Sequence, residues 1–273
     1  MPLLPELGAR TLIMGVHNAT PDSYSDGGAF PDSSAAVRHA LDMERDGADI
    51  IDIGGESTRP GSNPVDAEAE QGRVLPLIRA LAPLLQRPIS IDTYRAATAR
   101  AAIAAGARIV NDVWGLQRDP DMAAVVAAHD VPVVIMHNRA AADPSIDIVE
   151  DMLRFFERSL GIAAKAGIAD ARILLDPGIG FGKNADQSFE AICAVPRIKA
   201  LGFPVLVGAS RKSLLVRFYA EGVPPRERLF ATIGVHMAAV TLGADAIRVH
   251  DVRAHVEACR AIEAVMRAQR KAP

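Results

Sequence analysis

At 273 residues, about half of them apolar, the chain can bury a large core, and single α/β barrels commonly run to this length. A net charge of −3 with basic residues spread along the sequence excludes a general nucleic-acid surface, so any bound anion needs a local site. Two cysteines without CxxC spacing exclude a disulfide framework and a zinc ribbon, and neither a signal-like N-terminus nor an apolar run of about 18 residues is present. Cys193 and Cys259 are expected as reduced core thiols, and the protein as unexported and cytoplasmic.

Short β-rich apolar runs alternate with longer Ala-rich segments of helical period. The first strand is expected over 11–18 (TLIMGVHN), with a helix over 33–47. Strand 48–56 (ADIIDIGGE) precedes helix 65–85, and strand 88–93 (PISIDT) precedes helix 95–105. Strand 107–113 (ARIVNDV) leads to helix 121–129, and strand 131–137 (VPVVIMH) to helix 146–166. Strand 171–178 (ARILLDPG) leads to helix 187–201, strand 203–210 (FPVLVGAS) to helix 226–242, and strand 244–251 (ADAIRVHD) to helix 253–268. Gly47, Gly106, Gly167, Gly202 and Gly243 close helices where a left-handed C-cap is needed.

Eight βα units with continuous apolar strands predict a single (β/α)8 TIM barrel, with its site at the C-terminal ends of the strands. The alternative, an open doubly wound sheet, usually carries an early GxGxxG, which the first strand lacks. No linker or composition break divides the chain, so 1–273 is expected as one domain. The longest expected loops, 19–32, 57–64 and 138–145, all follow strand ends on the chemical face.

Every predicted strand ends on polar residues. The tips carry Asn18; Glu56 to Arg59; Asp92; Asn111 and Asp112; Met136 to Asn138; Asp176; Ser210 to Lys212; then Arg248, His250 and Asp251. One such residue is readily a helix cap, but eight converging tips suit a polar, planar or charged small molecule. The run ILLDPGIGFGK places an acid at the end of a buried strand. It is not a phosphate loop, because Pro177 stands where the first glycine is needed and Asn184 where the Ser or Thr belongs. On that failed spacing Lys183 is expected in solvent.

Asp92, Asp176 and Asn111 offer acceptors to a flat heterocycle with several N–H donors, and Lys212 can donate to its carbonyl side. Arg59, Arg248 and His250 supply donors for a phosphate-type anion, and Asn18 is an acceptable oxygen ligand for Mg²⁺. A Ser/His/Asp set and an HExxH pattern are both missing.

The segments NATPDSYSDGG, GGESTRPG, SIDT, NDV, MH, DPGIGFGK, GASRKS and RVHDV, in this order and spacing, closely resemble the dihydropteroate synthases over nearly the whole chain. The resemblance implies condensation of 6-hydroxymethyl-7,8-dihydropterin pyrophosphate with 4-aminobenzoate, releasing pyrophosphate for folate synthesis. It further implies a homodimer using Mg²⁺. By the same resemblance, Asp92, Asn111, Asp176 and Lys212 hold the pterin, with Met136 and Phe181 packing against it. Asn18, Arg248 and His250 form the pyrophosphate and Mg²⁺ end, with Asn18 as the metal residue. Thr58, Arg59, Pro60 and Ser210 form the 4-aminobenzoate end. Arg59, Lys212 and Asp22 are assigned to the catalytic step, Asp22 and Tyr24 lying on a closing first loop.

Departure of pyrophosphate from a methylene on an electron-rich ring needs charge stabilisation and positioning rather than a strong base, which accounts for the missing triad. Departures from the family pattern fall at His17, Ala19, Tyr24, Gln187, Ser188, Ala231 and Thr232. Strand alternation turns His17 away from the mouth if Asn18 faces it, so a packed histidine is expected. Two alternatives stay open. One is a pterin-binding methyltransferase, which has no need of the ESTRPG and SRK loops; the other is a catalytically weak pterin-binding paralogue.

Overall fold

The structure, a computed structural model, describes residues 4, 6–19, 33–56, 65–219 and 222–271. Eight strands occur: β1 Leu12–Asn18, β2 Ile50–Gly54, β3 Ile89–Asp92, β4 Ile109–Asp112, β5 Val133–Met136, β6 Ile173–Asp176, β7 Leu206–Val207 and β8 Ala246–Val249. Between and after them lie α1 Ser33–Arg45, α2 Ala67–Leu81, α3 Ala96–Ala105, α4 Met122–His129, α5 Ile148–Ala166, α6 Ala185–Cys193, α7 Val195–Lys199, α8 Leu229–Thr241 and α9 Val252–Lys271. All ladder pairs are parallel, in the order β6-β5-β4-β3-β2-β1-β8-β7. The parallel bridge Leu175↔Val205 brings the two ends of this order together, so the sheet is a nearly closed (β/α)8 barrel.

Strand alternation divides the apolar residues into two cores. One small cluster, with Leu12, Met14, Ile50, Ile109, Val134, Leu174, Leu206 and Ala246, fills the barrel interior. The odd partners on β1 and β2, Ile13, Ile51 and Ile53, join the larger cluster between strands and helices. The interior registers then set what comes next. Two residues beyond Ile50, Ile109, Val134, Leu174 and Ala246, on the same face, stand Asp52, Asn111, Met136, Asp176 and Arg248. Each strand is thus apolar where it plugs the barrel and, on four of these five, ionic or amide-bearing one step higher.

Several local expectations are modified. The helix expected over 187–201 is two helices, α6 and α7, because Pro196 lacks an N–H and starts a new helix within its first turn. The strand expected over 203–210 is reduced to Leu206–Val207. The reason lies in its backbone donors: Val205 N donates to Asp245 Oδ2 (2.8 Å) and Ala209 N to His236 Nε2 (2.9 Å), so neither extends a ladder. Cys259 is buried and Cys193 exposed, both free, so only the first is a core thiol. The five glycines expected to end helices all have positive φ. Among the described residues no helix is long and apolar enough to cross a membrane.

Candidate active site

The polar layer at the C-terminal end of the barrel is organised around Arg248. Its Nε donates to Asp52 Oδ2 (2.6 Å) and its Nη2 to Asp92 Oδ2 (2.7 Å), while Asn111 Nδ2 donates to the same Asp52 oxygen (3.0 Å). The three carboxylate and amide oxygens that remain, Asp52 Oδ1, Asp92 Oδ1 and Asn111 Oδ1, are buried without a hydrogen-bond partner among the described residues, as is Ser90 Oγ one layer below Asp92. Buried polar atoms are paired in the great majority of cases, so a cluster of unpaired acceptors is a signature of a ligand's donors.

Charge follows from this packing. Burial pushes the Asp92 carboxyl up to about 7 against the opposing charge of Arg248, with Asp52 and Glu70 adding to the rise. Asp176 is likewise raised by burial, partly offset by Lys212 and by the Gly178 N–H, which donates to its Oδ1 at 2.7 Å. Burial lowers Lys212 to about 8 while Asp176 holds it up. For Arg248, burial works against the charge, but Asp52 and Asp92 outweigh it and raise the pKa, so this guanidinium stays charged.

The sequence-expected residues divide accordingly. Asp92, Asn111, Asp176, Lys212 and Arg248 are buried or nearly so and electrostatically joined. Met136 ends β5 beside Asp176 in register, with its Cγ 3.3 Å from where a Cβ on Gly178 would stand. Lys212 Nζ donates to Ile179 O and lies 4.5 Å from the centre of the Phe181 ring. Ser210 and His250, expected at different ends of the site, meet: His250 N and Nδ1 lie 3.2 and 2.9 Å from Ser210 Oγ. Asn18 ends β1 half-buried. Asp22, Tyr24, Thr58, Arg59 and Pro60 lie outside the described residues.

Other tip residues have different work. Asp112 spends its oxygens on the N–H groups of Trp114 (2.8 Å) and Leu116 (2.6 Å), so it shapes the turn after β4. Glu56 binds Arg95 (2.6 Å), which also reaches Glu70 (3.1 Å). Arg211 is tied to Asp251 by two hydrogen bonds of 3.1 and 2.6 Å. His17 is packed as expected, fully buried and facing α1 through Ala36 O (2.8 Å), where burial lowers its pKa to about 4.

Lys183 is a correction: it is not in solvent but 7% exposed, with Nζ 2.6 Å from His137 Nδ1 and donating to Gly178 O (3.0 Å) and Phe181 O (3.2 Å). The failed phosphate-loop spacing excluded one ligand and said nothing of burial. The loop after β6 folds back on itself through Gly178, Gly180 and Gly182, all with positive φ, and carries the lysine underneath. Asp52 was missed altogether. Its signal was present, a carboxylate inside the apolar run IIDIG, in register with Ile50 on the interior face.

A family model described as pterin binding enzyme matches residues 14–250. The dihydropteroate synthase of Clostridium beijerinckii is 45% identical over 262 residues, covering 96% of each chain. The chain belongs to the dihydropteroate synthase family. A crystal structure of the dihydropteroate synthase of Clostridium difficile, determined in the presence of pteroic acid, superposes with a TM-score of 0.91 at 45% identity, covering 95% of this chain and 98% of that one. The Xanthomonas albilineans dihydropteroate synthase with 4-aminobenzoic acid gives 0.90 at 41% identity, covering 97% and 94%. These matches decide between the synthase and its methyl-transferring rival: the chain is a transferase of folate biosynthesis. Two of its departures from the family pattern are structural in this synthase. Gln187 completes a capping box with Asn184 and donates to Asp143 O (2.6 Å), and Ser188 accepts from Gly180 N (3.2 Å).

Proposed function

We propose that the mouth binds 6-hydroxymethyl-7,8-dihydropterin diphosphate and 4-aminobenzoate and joins them into 7,8-dihydropteroate, releasing diphosphate. The observation that supports this most is the set of buried, unpaired acceptors on Asp52, Asp92 and Asn111, which suits the amino and ring N–H groups of a pterin. Asp176 accepts from the same ring, and Lys212 donates to its carbonyl side from the opposite wall. Met136 and Phe181 cover its faces. Arg248 orients Asp52 and Asp92 through one oxygen of each, and its Nη1, engaged by no described residue, turns with His250 toward the diphosphate.

The reaction breaks the bond between the methylene carbon and the diphosphate oxygen, which keeps the electron pair. The arylamine nitrogen gives its lone pair to that carbon and then loses a proton to water. Buried carboxylates stabilise the positive charge on the ring as it develops, because they are oriented in advance. Thr58, Pro60 and Ser210 would seat 4-aminobenzoate, and Arg59 and Asp22 would act at the step itself. Among the described residues no cluster of His, Cys, Asp and Glu could hold a metal. A single amide at the tip of β1 fits Mg²⁺, which takes few protein ligands and relies on substrate phosphates and water. Asn18 would hold it, and the ion would neutralise diphosphate charge. The same reading makes residues 1–273 one domain, acting as a cytoplasmic homodimer without nucleic-acid or membrane partners.

Incubation with the pterin diphosphate, 4-aminobenzoate and Mg²⁺ should yield 7,8-dihydropteroate by mass spectrometry. Pterin binding without product would make the chain a non-catalytic binder instead.

A further inference from the structure

We propose that Lys183 is a positioning residue for the pterin end of the site, holding the loop after β6 in the one conformation that presents Asp176 and Lys212 to the ring. The proposal rests on the pterin reading above and adds to it a residue that touches no substrate.

An ammonium has three N–H donors, and Lys183 has three acceptors within reach: His137 Nδ1, Gly178 O and Phe181 O. Two of them are backbone carbonyls of the glycine loop, so the lysine ties its start to its end from below. Gly178 is then clamped on both sides, its N–H on Asp176 Oδ1 and its carbonyl on Lys183. Ile179, the next residue, accepts from Lys212 through its own carbonyl. The loop has no slack to find this path another way. A Cβ at Gly178 would stand 1.9 Å from His137 O, and one at Gly182 would stand 2.3 Å from the Arg139 Cβ.

The clamp is itself braced. His137 accepts from Lys183 at Nδ1, which leaves Nε2 as the N–H that donates to Asp151 Oδ2 (3.1 Å), and the same oxygen takes Arg139 Nη1 (2.8 Å). The imidazole also packs edge-on against Phe155, ring centres 4.9 Å apart, which fixes its orientation. Four side chains from the loops after β5 and β6 and from α5 thus form one line ending under the pterin acids. Burial costs this lysine part of its charge, lowering its pKa to about 7, and Asp176 is the foremost charge that holds it up. In return Lys183 is among the charges that partly offset the rise that burial imposes on Asp176. A lysine placed only to cap a loop could do so from the surface, without this loss of hydration.

The test is Lys183→Met, which keeps the bulk and removes the three donors, with binding of 6-hydroxymethylpterin measured by calorimetry. Affinity should fall about tenfold to a hundredfold. KM for the pterin diphosphate should rise while KM for 4-aminobenzoate stays near the wild-type value. Should that variant fail to fold, Asp151→Ala, altering a partly exposed side chain, removes the acceptor that braces His137 and should weaken pterin binding in the same selective way. Wild-type pterin affinity in either folded variant would overturn the proposal. So would a rise in both KM values in step with a lower melting temperature, which marks general loosening. A wild-type protein that binds no pterin would instead overturn the reading on which the proposal rests.

Discussion

Two ends of the barrel carry buried aspartates, and they are treated in opposite ways. At the N-terminal end, Asp49 precedes β2 and takes the Ile13 N–H (3.0 Å) and two bonds from Arg10 (2.8 and 2.6 Å) on its two oxygens. Asp245 precedes β8 and takes Val205 N (2.8 Å) and Lys199 Nζ (2.7 Å). At the C-terminal end, Asp52 and Asp92 share Arg248 through one oxygen each and leave the other unpaired among the described residues. The residue type is the same and the burial similar. A saturated carboxylate fastens strands to their neighbours, whereas a half-saturated one stores an unmet demand for donors that a ligand can meet.

That contrast would fail most visibly at Asp176. Replacing it by Asn presents an N–H to a donor, and pterin affinity should drop by about 3 kcal/mol while the melting temperature barely moves. Calorimetry beside thermal denaturation separates the two, and a variant that binds as tightly as wild type removes Asp176 from the site. Asp49→Ala should do the reverse. It strands the buried Ile13 N–H and frees a partly exposed Arg10, at a cost of about 2 kcal/mol in urea unfolding with pterin affinity unchanged. Loss of binding there would mean that the two ends are not independent.

A smaller effect sharpens the comparison through pH. Folding raises the Asp92 pKa from about 4 for an unfolded aspartate to about 7, so the folded state binds the extra proton. The contribution of Asp92 to ligand-free stability therefore falls as pH rises through that interval and levels off above it. Pterin donors need the carboxylate, so affinity should fall as pH drops below about 7, and proton release on binding should be measurable in buffers of different ionisation enthalpy. On the alkaline side, affinity should fall above about 8 as Lys212 loses its proton. A flat profile across this range would show that neither group titrates in the site.

The smallest expected change is Ser90→Ala. Its hydroxyl is buried and has no partner among the described residues, so its removal should alter stability by less than about 1 kcal/mol, in either direction. If pterin affinity drops as well, the unmet demand for hydrogen bonds reaches one layer deeper than Asp92.

The alternation of apolar runs and helical segments was enough to determine eight strands, their order along the chain and the end of the barrel that bears the site. Period-two alternation also turns His17 outward, away from the face that Asn18 shares with the mouth. These properties are local: each depends on residues within one strand or one turn. Tertiary structure alone decided which polar groups are spent and which are left over. Arg248 meets Asp52 and Asp92 from 196 and 156 residues away, and only closure of the barrel makes those three neighbours. Asp52 resembles any strand acid until its partners are known. Lys183 resembles a solvated loop lysine until three positive-φ glycines fold the loop over it and His137 arrives from β5. Pattern reports the direction in which a side chain leaves its own backbone. Pairing and burial depend on what the rest of the chain brings to meet it, and on those the charge of a carboxylate or an amine depends.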